Sequence, residues 1–160
     1  MAATTVQSNA VKAGLMPDHT VPATIVLSRT GTYTATAALD ANSVIQLVPI
    51  PLGAQILDII VQCTALGAGR TLDIGDDGDI DRFFDGLSGV TAAISRFGSQ
   101  MGGVTVNTAG NVVHGASALG YEYTADNTID AKVLGDTFPA AAVITMTVLY
   151  KMQGGVADET

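Results

Sequence analysis

The residues with the most chemical potential are crowded into one short run. Between Asp73 and Asp85 lie six of the chain's fifteen acidic residues, in the sequence DIGDDGDIDRFFD. Asp77, Asp79 and Asp81 alternate in the way that lets a loop turn its carboxylates onto a calcium ion, which makes them weak calcium candidates. The order of an EF-hand fails, because Gly78 falls inside the aspartate series and no glutamate closes the loop. The simpler reading is a solvated turn, in which aspartates accept hydrogen bonds from their own backbone and glycine supplies positive φ. Arg70 and Arg82 are placed to neutralise part of the charge.

No catalytic set assembles elsewhere. Cys63 is the single cysteine, and it alternates with Leu57, Ile59 and Val61, so it reads as core and not as an activated thiol. The two histidines, His19 and His114, are far apart, and neither has a second His or Cys at ligand spacing. There is no Gly-x-Ser-x-Gly elbow, Walker A loop or Gly-x-Gly-x-x-Gly turn. Asp58 alternates with Ile56 and Ile60, which reads as a half-exposed or interface face. No catalytic or cofactor-binding residue is assigned, no cofactor is expected beyond calcium, and the chain does not read as an enzyme. Four aromatics are interface candidates. Tyr121 and Tyr123 share a strand face, and Phe83-Phe84 is an adjacent pair from which one ring turns inward and leaves the other free to plug a neighbour.

The elements that must position these residues are strands. Thr24–Ser28 and Thr32–Ala37 are β-branched and flank a turn at Arg29-Thr30-Gly31. Ser43–Val48 alternates, with Ile45 and Leu47 on one face. Pro49 and Pro51 then bar a central strand, because proline cannot donate to the ladder. Gln55–Thr64 is the strongest strand, with Leu57, Ile59, Val61 and Cys63 on one side. Arg70–Ile74 leads into the acidic loop, and Asp79–Leu87 is expected as a helical turn or irregular structure. Weak strands follow at Val104–Val106 and Asn111–His114, then Leu119–Thr124 and Thr128–Leu134. Ala142–Lys151 closes the chain, with Ala142, Ile144, Met146, Val148 and Tyr150 on one face. Eight or nine short strands with frequent turns, and no helical periodicity over three turns, predict an all-β antiparallel sandwich, specifically a jelly roll. The predicted organisation is an extended N-terminal arm over residues 1–22, a sandwich over 23–152 and a polar tail over 153–160. An arm of ~20 extended residues reaches ~65 Å.

Composition bounds the partners. The 160 residues suffice for one domain with its own core. A net charge of −8, with scattered basic residues, disfavours direct nucleic-acid binding. No stretch approaches the ~20 apolar residues of a membrane helix, so no membrane partner is expected and synthesis in the cytoplasm is. Only 14% of residues are charged while 48% are hydrophobic. A solitary domain usually carries about 25% charge, so part of this surface is expected to be covered by other subunits.

One stretch carries a resemblance. PIPLGAQILDIIVQCTALGAGRTLDIGDDGDIDRFFDG, ending at Gly86, resembles a segment recurring in small tailed-phage virion proteins. There a Gly-Ala entry leads into a long strand and then an aspartate-rich loop, here Leu72-Asp73, Gly75-Asp76, Asp79 and Asp81-Arg82-Phe83. The resemblance covers about a quarter of the chain. It implies a capsid decoration protein of the cement or head-fibre type, a homotrimer that bridges major capsid protein subunits on the capsid exterior and contributes no catalytic residues. The alternatives are a carbohydrate- or receptor-binding fibre module, using the two tyrosines or a calcium loop, and a tail or connector component of the same virion.

Overall fold

A computed structural model describes residues 3–14, 25–89, 92–96 and 120–153. The expected strands at 104–106 and 111–114, both histidines, residues 15–22 of the arm and the tail after Gln153 lie outside them. Among the described residues, nine strands and one short helix run in the order β1 (Thr5–Gln7), α1 (Asn9–Lys12), β2 (Val26–Thr34), β3 (Val44–Ile50), β4 (Ala54–Cys63), β5 (Thr71–Gly75), β6 (Phe84–Ser88), β7 (Ala93–Arg96), β8 (Asn127–Leu134) and β9 (Val143–Met152). They form an all-β sandwich. One sheet has the order β1-β3-β8-β5-β6 and the other β2-β9-β4-β7. Every pairing is antiparallel except β1 on β3. No helix among the described residues is long and apolar enough to cross a membrane.

The core lies between the sheets and follows the period-2 pattern. On β9, Ile144, Met146, Val148, Tyr150 and Met152 are all buried while their neighbours are half-exposed. On β4 the alternation breaks. Ala54 and Ile56 point inward, then Ile59, Val61 and Cys63 do. A register shift between Ile56 and Asp58 inserts one extra residue, and that flips the inward set. Leu57 therefore does not share the core face with Ile59, and the expectation that it does is corrected. A second shift on β3, between Gln46 and Val48, precedes Pro49. Strand β1 reaches only as far as Gln46, so Pro49 sits where β3 has one partner in place of two.

Three further expectations change. The turn at Arg29–Gly31 is absent, and β2 runs straight through it. Gly31 serves a close approach instead, since a Cβ there would lie 1.9 Å from the Leu47 carbonyl oxygen of the facing sheet. Of the two expectations for 79–87, a helical turn or irregular structure, the first is not met and the second holds only for residues 79–83. The second half of the segment is β6, zipped to β5 through Leu87 on Leu72 and Phe84 on Ile74. The arm expected over residues 1–22 is, over its first part, a docked segment. β1 adds to the edge of β3, and Ser8 caps α1, accepting from the Val11 N–H (3.3 Å). The Ser8 hydroxyl also donates to the Leu47 carbonyl, and Asn9 Oδ1 accepts from the Thr32 N–H (2.9 Å). A polar segment without periodicity gave no sign that these backbone groups would pair within their own chain.

Candidate functional site

Two features are candidates: the polar cluster built on the acidic loop, and the outer face of the four-stranded sheet. The cluster is centred on Asp76, which is 1% exposed. Its Oδ1 accepts from the backbone N–H groups of Gly78 and Asp79 (both 3.0 Å) and from Arg82 Nη2 (3.2 Å). Its Oδ2 accepts from Arg82 Nε (2.8 Å) and the Tyr123 hydroxyl (3.0 Å). Five donors on one carboxylate satisfy a buried charge that would otherwise be costly. The Arg82 guanidinium lies 3.9 Å over the Tyr121 ring, and Tyr121 meets Tyr123 edge-on at 5.1 Å. Tyr123 is buried, and that burial with the Asp76 charge drives its hydroxyl far above the usual tyrosine range, so it stays a donor.

Local backbone explains why these residues meet. Residues 121–123 lie along the start of β4, where Ile56 N–H donates to Tyr121 C=O and Tyr123 N–H to Ala54 C=O (both 2.9 Å). Asp76 follows the end of β5 in the other sheet. The cluster therefore ties the two sheets together at one end of the sandwich. The resemblance segment acquires a structural account: Gly75 makes room for the returning loop, Asp76 and Arg82 close it, and Phe83 anchors it in the core.

The predicted site residues scatter. Asp77 Oδ1 accepts from Asn127 Nδ2 (2.6 Å), Asp79 stands 3.9 Å from Arg82, and Asp81 is exposed. A hydrogen bond shared with Asp81 raises the Asp79 pKa. Among the described residues no group of three or more His, Cys, Asp or Glu side chains is arranged to hold a metal ion. Phe83 and Phe84 are both fully buried, which corrects the expectation that one ring is free to plug a neighbour. Phe83 precedes β6, so strand alternation does not force it outward. Tyr123 is buried and Tyr121 lies under Arg82, so the pair is no open platform. Sequence reasoning singled out Asp77, Asp79 and Asp81 and missed Asp76. The signal that could have found it is the Asx-turn position of Asp76, directly before Asp-Gly and after a strand end.

The second feature is the solvent side of the β2-β9-β4-β7 sheet. Thr30 and Thr147 hydroxyls pair at 2.8 Å, and Thr32 and Thr145 pair at 3.1 Å, in adjacent rows. Leu149 and Ile60 are half-buried there, while Val26 is 60% and Ile94 68% exposed. Of the two expectations for Asp58, a half-exposed or an interface face, the first is corrected: Asp58 is buried, and its carboxylate pairs with Arg96 across the β4–β7 ladder. With hydroxyls satisfied by one another and the acid satisfied by its arginine, the middle rows of the face ask little desolvation of a partner, while Gln55, Gln62 and Lys151 keep its ends polar.

No protein-family model matches the sequence, and no curated protein does. Among solved structures the fold is shared with a chain of the capsid of Ralstonia phage GP4, at TM-score 0.69 and 18% identity, over 94% of this chain and 99% of that one. It is also shared with a chain of the cyanophage Pam1 capsid asymmetric unit, at TM-score 0.58 and 16% identity, over 80% of this chain and 85% of that one.

Proposed function

We propose that this chain is a non-enzymatic virion protein that decorates and stabilises a phage capsid, with copies trimerising and bridging major capsid protein subunits on the capsid exterior. The observation that carries the reading is a shared fold over nearly the full length of this chain and of a chain in a phage capsid. The same sandwich thus serves in that capsid as a whole chain, not as an appended part. The paired threonines support the reading physically, because the middle of their sheet face can be buried without stranding a charge, while Lys151 stands at its end opposite Val26. The size of that face decides how it would be used. Three strands of nine or ten residues and one of four, about 4.8 Å apart and rising about 3.3 Å per residue, give an area on the order of 500 Å². A standard interface takes about 800 Å² from each partner, so this face suits one contact among several. Retention on a capsid would then come from multivalency.

Two measurements test the proposal. Light scattering of the isolated protein is expected to give about three times 16.3 kDa. Incubation with capsids lacking their decoration protein is expected to give saturable co-sedimentation, with added density between major capsid subunits in reconstructions. A monomer that leaves such capsids bare would contradict the reading.

A further inference from the structure

One buried group is left unaccounted for by either feature. Asp130 on β8 is 3% exposed, and its Oδ1 has no hydrogen-bond partner. Ile129, Ala131 and Val133 point into the core, so Asp130 points to the outer side of the five-stranded sheet. There it stands opposite Gln46 on β3 and Gly75 on β5.

Gly75 explains how an outward carboxyl becomes buried. A Cβ at Gly75 would lie 2.1 Å from the Asp79 carbonyl oxygen and 2.3 Å from the Ile80 carbonyl carbon. The acidic loop therefore folds back over the outer face at the Asp130 row. Asn127, on the same strand as Asp130, ties the loop down through Asp77. The groups facing Asp130 can be named element by element. The loop presents Asp76 and Asp77. β3 presents Gln46, whose side chain accepts from Gln7 (3.1 Å). β5 presents Gly75. Its own strand presents Thr128, which hydrogen-bonds the carboxyl, and Lys132, which stands opposite Asp73. An ionised Asp130 would be a buried negative charge near the buried Asp76 and the exposed Asp77, with an oxygen that nothing solvates.

We propose that Asp130 is a proton-binding site: the carboxyl is held neutral beneath the acidic loop, and its ionisation loosens the loop from the sheet. The charge balance is simple, since one proton is bound or released and no bond to carbon changes. Burial raises the pKa of this carboxyl to about 7, with Asp77 and Asp76 adding to the rise and the Thr128 hydrogen bond opposing it. Because the folded value lies above the ordinary value of about 3.9, the stabilisation is fully present below about pH 4. It is lost as pH rises through about 7.

The test uses the full chain. Thermal unfolding is followed from pH 5 to pH 9 for wild type and Asp130→Asn, with and without calcium chloride, and the Asp130 carboxyl carbon is titrated by NMR in the wild type. Wild type is expected to lose roughly 8 °C of Tm over that range, from about two pH units of linkage below the midpoint. Asp130→Asn is expected to stay level and to melt above wild type at pH 9. The carboxyl is expected to titrate near 7, and Asp77→Asn is expected to lower that midpoint. Parallel wild-type and Asp130→Asn curves, or a carboxyl that titrates near 4, would overturn the proposal. So would calcium raising the wild-type Tm at pH 8 while leaving Asp130→Asn unmoved, because the occupant would then be a metal ion.

Discussion

Replacing Asp76 by alanine should be among the most damaging single changes outside the hydrophobic core. The substitution removes an acceptor of five hydrogen bonds, two of them from the backbone of its own loop. It also leaves the Tyr123 hydroxyl buried without its acceptor. Breaking a buried ion pair from one side costs about 3–5 kcal/mol. The Arg82 side chain keeps 18% exposure and its stacking on Tyr121, so it can turn partly to water, which places the loss near the lower end. At about 2.1 cal/mol/K per residue, 160 residues give an unfolding entropy of roughly 0.34 kcal/mol/K. A loss of about 3 kcal/mol then lowers Tm by roughly 9 °C. Asp79→Ala is the matched control. Its side chain is 46% exposed and only 3.9 Å from Arg82, so the change should stay within about 0.5 kcal/mol. Differential scanning calorimetry of the two variants reads both numbers. If Asp76→Ala melts within about 3 °C of wild type, or if Asp79→Ala costs as much, the loop is not closed by the Asp76–Arg82 pair.

Other perturbations probe the remaining features. Gly31→Ala must push β2 away from the Leu47 carbonyl of the facing sheet, and a loss above about 2 kcal/mol in chemical denaturation is expected. Ile56→Ala, at a buried position between the sheets, should cost about 2–5 kcal/mol, whereas Leu57→Ala at the half-buried neighbouring position should cost well under half as much; equal losses would contradict the bulge on β4. Thr147→Lys places a charge among the paired threonines of the four-stranded sheet's outer face, so it should leave the melting temperature within a few degrees while weakening capsid co-sedimentation; undiminished binding would remove that face from the interface.

The fold class was legible because strands announce themselves locally. The alternation of Ile144, Met146, Val148 and Tyr150 needs nothing but the pleat of one strand to sort residues inside from outside, and the structure keeps it. The scarcity of charge likewise follows from composition alone and pointed to surfaces that a partner could cover. Several assignments were not local. Gly31 reads as a turn until the facing sheet brings Leu47 against it, and Leu57 reads as core until the bulge moves Ile56 into its place. One ring of the Phe83-Phe84 pair reads as a plug until β6 closes on β5.

The acidic loop shows the division most clearly. Its residue types pointed to charge in need of neutralisation, and Arg82 was already named as one source. Which aspartate takes that arginine depends on how the loop folds back at Gly75 and on Tyr123 arriving from a segment forty-seven positions away. Asp130 could not be recognised from sequence at all. An aspartate between Ile129 and Ala131 reads as the solvent side of a strand, and only a loop from a neighbouring strand, lying over a glycine, turns that solvent side into a buried one. Alternation along a strand depends on the chain's own geometry, so sequence by itself determined it. What covers a strand depends on pieces of chain far away in sequence, and only tertiary packing decided that.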